Sequence, residues 1–269
     1  MQHRPHTYLF WIQYLGFRYH GWQKQPNVKT IQGRLERGLR HVLGHEDFMI
    51  LGAGRTDSGV SCQKGAFELF NIRALELDTF INELNASLPD DIRILNGQKV
   101  DLEFNVIQDV MAKEYRYYFA HGHKIHPFAA GNIAWVNQSL DLEPMRRAAE
   151  LFVGEHDFRR FCTQGKITDN FTRRIYRAEI SEESLAYQGG IYPDQVYCFQ
   201  VKGSGFLMHQ VRIMMGALFQ VGMGELGVED IRVALQSQEA VPLSGKVPAH
   251  GLVMHEVIFN SDKLGPARI

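Results

Sequence analysis

Cysteine is scarce in this chain: 269 residues contain three, Cys62, Cys162 and Cys198, and no two form a C-x-x-C pair. An odd, widely spaced set argues against a disulfide framework or a zinc ribbon and fits reduced thiols in a cytoplasm. Long apolar runs are also missing. The oiliest stretch, VRIMMGALFQVGMGELGV (211–228), is broken by Arg212, Gln220, Glu225 and several glycines. A membrane helix needs about 20 mostly apolar residues, so a buried core helix is expected here and no membrane partner. The opening MQHRPHTYLFWIQYLGF has no small-residue cleavage site and reads as a first strand, not a signal peptide. Low-complexity tracts are absent too, which leaves little room for extended disorder.

The charge balance is near zero, −1 overall, but it is unevenly spread. Residues 1–66 hold nine Lys/Arg against four Asp/Glu, and 113–177 hold eleven against seven. The intervening 67–112 hold three against nine, and 178–269 hold six against ten. Two basic blocks in a neutral protein are compatible with one positive face for a polyanion, and equally with solvated helix faces.

Periodicity gives an α+β reading. TYLFWIQYLG is strand-like, and TIQGRLERGLRHVLG spaces Ile31, Leu35, Leu39 and Val42 for a helix capped by Thr30 and stopped by Gly44. FMILGAG and GAFELFNI read as short strands, DTFINELNASLP as a helix beginning at an Asp78 cap, and DIRILNGQKV as another strand. The order is βαββαβ, a ferredoxin-like unit. In the second half, KEYRYYFA, RRIYRAEISEESLAYQGG, QVYCFQVKGSG and GLVMHEVIF read as strands. Helices are expected around LEPMRRAAELFVG, from Leu207, and from Val228. The expectation is two similar ferredoxin-like halves, 1–109 and 110–269, with mostly antiparallel sheets and a cleft between them.

GAGRTDSGVS (52–61) looks least like scaffold. Its G-x-G is followed by Asp57 where a dinucleotide fingerprint needs a third glycine, and no helix follows. D-S-G suggests an aspartic protease, but no second D-[ST]-G supplies the partner carboxylate within the chain; a dimer could. S-x-x-K at 61–64 lacks S-D-N and K-T-G. Asp57 could be an Asx-turn residue. Against that, the loop carries more glycine than a turn needs, which lets backbone approach a ligand closely. Arg55 two residues away can hold a phosphate or favour the ionised carboxylate. An ionised aspartate in an enclosed loop suits nucleophilic attack. The residues alone leave both readings open. His121, His123 and His126 lie close together without a nearby carboxylate, a weak metal signal. GEHDFRRFCTQG (154–165) interleaves His156, Arg159 and Arg160 with Phe158 and Phe161, which suits nucleic acid about as well as it suits a helix end with a small hydrophobic staple.

Taken together, YLGFRYHGWQKQPNVKTIQGRLE, AGRTDSGVSCQ, LNASLPDDIRI, KEYRYYF, GSGFLMHQVRIMMGAL and HGLVMHEVIF resemble the bacterial tRNA pseudouridine synthase A family. AGRTDSGVSCQ is similar to its A-G-R-T-D-A-G-V-H-A signature, and GSGFLMHQVRIMMGAL to its G-x-G-F-L-x-x-x-V-R-x-x-x-G block. Two departures stand out: FNVI (104–107) where many members have F-H-A-R, and Ser61 where histidine is common. The resemblance implies isomerisation of uridine to pseudouridine in the tRNA anticodon stem-loop, at tRNA positions 38, 39 and 40, by a cytoplasmic homodimer without cofactor or metal. It implies Asp57 as nucleophile, Arg212 as its ion-pair partner, and Tyr115 as the residue that stacks on uracil and removes the C5 proton. Arg55 would stand in for the flipped base, with Gln23, Lys24, Phe206, Leu252, His156 and Arg159 toward the RNA. An RNA-binding or RNA-folding module in which catalysis is secondary remains the principal alternative, with a dimeric protease behind it.

Overall fold

β1 (His6–Tyr14) alternates too little to face water on one side, and Tyr8, Leu9, Phe10 and Ile12 are all buried. It therefore needs cover on both faces, and the next elements supply one of them. In the computed structural model, which describes residues 4–163, 170–183 and 192–264, α1 (Ile31–Leu43) follows. Its first free amide is capped as expected: Thr30 accepts from Gly33 N at 3.2 Å, and Gly44 ends the helix at φ 69°. Ile31, Leu35 and Leu39 form the buried stripe. β2 (Phe48–Gly52), β3 (Ser61–Asn71), α2 (Leu77–Ser87) and β4 (Ile92–Val100) complete the βαββαβ order. The strands run antiparallel with β1 between β3 and β4, and β2 lies along the end of β3. Phe10 joins the sheet to the helices through Phe67 (5.3 Å between ring centroids) and Phe80 (5.6 Å). A side chain at Gly97 would collide with the Phe10 ring, so Phe10 needs a glycine on β4.

Two details differ from the sequence reading. β3 begins at Ser61, not Gly65, because Cys62 already pairs with Tyr14 of β1. The polar loop before it is correspondingly short. α2 is entered through Glu76, and Asp78 lies inside its first turn, where a carboxylate is favourable to the exposed amides.

The chain divides into two compact units, residues 1–112 with 254–269, and residues 113–253. The second contains β5 (Val110–His121), a three-residue β6 (Ala134–Val136) parallel to it, α3 (Leu142–Glu150), β7 (Gly154–Asp157), β8 (Thr172–Glu183), β9 (Val196–Gly203), α4 (Gln210–Gly222) and α5 (Val228–Gln236). Its strands run β5-β9-β8-β7, antiparallel throughout that path. β6 and β7 are too short to leave a periodic signal. The YQGGIYPD turn expected between β8 and β9 lies largely outside the described residues. α4 is the oily segment, and all its residues except Arg212 and Gln220 are buried. It packs on α3 so closely that a Cβ at Gly222 would sit 2.5 Å from Met145 Sδ. Among the described residues no helix is long and apolar enough to cross a membrane.

The chain then returns to the first unit. β10 (Leu252–Phe259) lies beside β3, and α6 (Ser261–Leu264) follows. Glu256 pairs with Lys64 at 2.7 Å, Phe259 packs on Phe104 at 5.6 Å, and Gln98 donates to Leu264 O. The fold is thus mixed α and β, with mostly antiparallel sheet.

Candidate active site

The loop between β2 and β3 is suspended from the segment that follows β1. Trp22 N donates to Thr56 O (3.1 Å), Gly59 N and Ser58 Oγ donate to Tyr19 O (3.0 and 3.3 Å), and Tyr14 and Thr56 share a hydroxyl bond of 2.8 Å. The turn at Asp57 is closed by backbone, Val60 N to Asp57 O at 3.2 Å, and by Gly59 at φ 83°. Thr56 is buried, Arg55 exposed and Asp57 half-buried between them.

Gly52 of the loop serves a different purpose from the one the sequence suggests, and Gly21 outside it a similar one. A Cβ at Gly21 (φ 84°) would lie 2.5 Å from Thr56 O and 3.1 Å from the Asp57 carbonyl carbon, and one at Gly52 would strike the Trp22 indole. These positions are filled by protein, so close approach serves the loop's own packing. Ser61 also bonds locally, its Oγ accepting from Gly16 N at 3.0 Å.

Beneath this loop lies a charged anchor that no short-range pattern announces. Asp91, 72 residues from Tyr19, accepts its phenol at 2.5 Å and two bonds from Arg18 at 2.6 and 3.1 Å. Burial alone would raise the Asp91 carboxyl, but the bonds from Tyr19 and Arg18 outweigh it and hold it below its ordinary value. Burial, reinforced by the same hydrogen bond, raises the Tyr19 phenol. Leu15 N donates to Asp91 O at 3.0 Å, so the loop's support is tied at both ends. Gln23 and Lys24 follow directly after Trp22. Gln23 Nε2 and Lys24 N both reach Gln32 Oε1 at 3.0 Å, and Lys24 Nζ meets Glu36 at 2.6 Å.

The second unit carries Tyr115, Phe206, Arg212 and Leu252. Tyr115 of β5 is nearly buried, and Phe206, on the turn after β9, meets its ring edge-on at 5.0 Å. Arg212 is the third residue of α4, and its Nε donates to Val247 O at 2.9 Å. Tyr117, two residues along β5 from Tyr115, donates to Pro248 O at 2.9 Å. Burial holds the Tyr117 phenol above its usual range, opposed by the Arg212 charge. His250 is lowered by burial, with the Arg212 charge adding to the effect and a hydrogen bond to the Ile133 backbone opposing it. Segment 247–252 is therefore wrapped around the arginine, and it brings buried Leu252 in behind Gly251. A Cβ at Gly251 would crowd Tyr118 O and the Tyr117 ring.

His156 and Arg159 stand apart from that cluster. His156 Nε2 lies 3.0 Å from Val153 O. Arg159 forks onto Asp157 (3.0 and 2.7 Å), reaches Gln238 O, and lies 5.5 Å over the Phe171 ring. Burial would raise Asp157, but the Arg159 bonds hold it below its ordinary value. The GEHDFRRF motif is therefore a strand and a 3-10 turn rather than a helix end. Among the described residues no group of three or more His, Cys, Asp or Glu is placed to hold a metal ion. His121 instead stacks on Tyr197 at 5.4 Å and accepts from Leu140 N, and His126 accepts from Phe128 N. The thiols are poor nucleophiles: burial pushes Cys62 and Cys198 up to about 12 and Cys162 to about 11.

A family model described as tRNA pseudouridine synthase matches residues 148–260, which include Phe206, Arg212 and Leu252. Proteins named tRNA pseudouridine synthase A align with almost the whole chain. That of Acetivibrio thermocellus is 34% identical over 248 residues, 92% of this chain and 97% of the relative. That of Exiguobacterium sibiricum is 35% identical over 254 residues (94% and 97%), and that of Citrifermentans bemidjiense 36% over 250 (92% and 95%). With shared identity of this extent across nearly the full length of both chains, the protein belongs to the tRNA pseudouridine synthase A family.

Proposed function

We propose that the protein isomerises uridine to pseudouridine in the anticodon stem-loop of tRNA, at tRNA positions 38, 39 and 40, acting as a cytoplasmic homodimer. The reaction breaks the N1–C1′ bond, turns the uracil, and forms the C5–C1′ bond. The proton on C5 is lost and N1 gains one, so atoms and electrons balance without an oxidant or reductant. Asp57 supplies the nucleophilic carboxylate. Tyr115 stacks on the uracil and takes the C5 proton. Arg212 contributes a fixed positive charge, and a guanidinium stays charged at every relevant pH. The target base leaves its stack before chemistry, and exposed Arg55 takes its place or holds its phosphate. Gln23, Lys24, Phe206, Leu252, His156 and Arg159 are assigned to RNA contact.

The observation that carries this reading is how Asp57 is held. Its turn is closed by backbone bonds and by Gly59, and its neighbours are fixed to Tyr19 and Trp22. Such a loop presents a carboxylate in one place, which is what nucleophilic attack requires. Replacing Asp57 by Asn keeps the shape and removes the nucleophile. Pseudouridine formation is expected to vanish while tRNA affinity changes little. Near-normal turnover by Asp57→Asn would refute the assignment, and an unmutated protein that binds tRNA but forms no pseudouridine would favour an RNA-binding module.

A further inference from the structure

His209, the residue before α4, has φ 61° and ψ 8°, in the left-handed region. Side chains other than glycine are strained there, and such strain persists where the surroundings over-determine it, often at functional sites. Here the surroundings are specific. Thr163 Oγ1 lies 2.6 Å from His209 Nδ1, and Thr163 N donates to Met208 O at 3.0 Å. One threonine thus grips both residues of the turn, from a segment 46 positions away. The turn is drawn tight on its other side by Gln210, whose Oε1 accepts from Leu207 N at 2.8 Å and whose backbone N donates to Leu207 O at 3.1 Å. His209 O accepts from Ile213 N at 3.0 Å and so starts the helix.

What this turn joins gives the strain a purpose. Three residues before His209 stands Phe206, whose ring abuts Tyr115, and three residues after it stands Arg212. A change of backbone conformation at His209 would swing one relative to the other. We propose that Thr163 and His209 are positioning residues of this enzyme: their side-chain bond holds the turn in its strained form and thereby sets Arg212 against the Phe206–Tyr115 pair. Neither residue is assigned contact with the reacting atoms. The inference rests on the assignment of Tyr115 and Arg212 to the reaction.

The test measures single-turnover pseudouridine formation on unmodified tRNA together with tRNA affinity. Thr163→Val is expected to slow the chemical step about ten-fold with affinity held within about two-fold, since small misplacement is costly at a reacting centre. Thr163→Ser restores the hydroxyl and should return the rate to within about two-fold of wild type. His209→Ala removes the ring but leaves a side chain strained in the left-handed region with nothing to hold it, and should match Thr163→Val. The double variant should be no slower than either single one, because both remove the same bond. The proposal is overturned by a wild-type rate for Thr163→Val, a Ser variant as slow as the Val one, losses that multiply in the double variant, or a loss confined to affinity. A Thr163→Val protein that melts below the assay temperature also overturns it, in favour of a purely structural bond. Arg212→Gln removes the charge and separates this idea from its premise. An inactive Gln variant beside a normal Thr163→Val sinks the clamp alone, whereas a fully active Gln variant sinks both.

Discussion

Glu68 is the residue whose environment is furthest from what a sequence would suggest. Its neighbours in GAFELF alternate so that a carboxylate would point to water, yet it is fully buried. One oxygen accepts from Val106 N at 3.0 Å, and the other has no hydrogen-bond partner among the described residues. The cause is that β3 is covered on both faces, by the helices on one and by the 101–109 segment on the other, and strand periodicity cannot report the second cover. Burial, with a further push from Asp109, raises the Glu68 carboxyl to about 7, opposed by the Val106 bond. The folded state therefore binds this proton more tightly than the unfolded chain. Stability from this group is complete at acid pH and is lost as pH rises from about 4.5 through 7, a change on the order of 3 kcal/mol. Thermal melts from pH 5 to pH 8 should show the decline in the wild type and a flatter profile in Glu68→Gln; parallel profiles would contradict it. Tyr19 allows a second residue-scale prediction. Tyr19→Phe removes the Asp91 bond that supports the segment holding the Asp57 loop, and is expected to lower the rate of modification several-fold more than it lowers tRNA affinity. Steady-state kinetics would decide it, and an effect on affinity alone would count against the loop-support role.

At the scale of elements, most of the architecture was legible. The α1 stripe, its Thr30 cap and Gly44 stop were readable because each is a short-range rule with a physical cause. So was the oily segment, whose charges and glycines marked a core helix. The Asp57 loop was assigned chemistry only through its likeness to a family, because its supports lie far off in sequence: Tyr19, Trp22 and Asp91 leave no pattern around Asp57. α4 starts at Gln210, three residues later than its apolar run suggests, because the strained turn at His209 obeys a tertiary bond, not a propensity. Gly216 gives the element-scale prediction. A Cβ there would lie 2.3 Å from Gly245 O, on the segment whose Val247 carbonyl receives Arg212. Gly216→Ala should cost about 1–3 kcal/mol by overpacking and displace that segment, reducing activity beyond the loss of folded protein. Denaturant titration paired with activity per folded molecule would check it, and an unchanged midpoint would contradict it.

For the whole molecule, the path of the chain matters more than the balance of its charges. The linear reading expected a division at 109/110, whereas the compact units place residues 254–269 with the first segment. Residues 1–112 alone lack β10, its Lys64–Glu256 pair and the Phe259 ring against Phe104. That fragment is expected to remain unfolded by circular dichroism, and co-expression with the remainder to restore it; an independently folded fragment would contradict the prediction. The basic blocks are similarly less free than composition implied. Arg18, Arg116, Arg159, Arg160 and Arg177 each pair with a carboxylate of their own unit. Arg55, by contrast, is exposed on the Asp57 loop. The proposed activity of the whole molecule is pseudouridine formation in the anticodon stem-loop through Asp57. Nucleotide-resolution mapping of carbodiimide adducts in unmodified tRNA, incubated with wild type or with Asp57→Asn, tests it most directly. Adducts at tRNA positions 38 to 40 with the wild type and none with the variant are expected; no adducts, adducts elsewhere, or equal adducts with both proteins would contradict it.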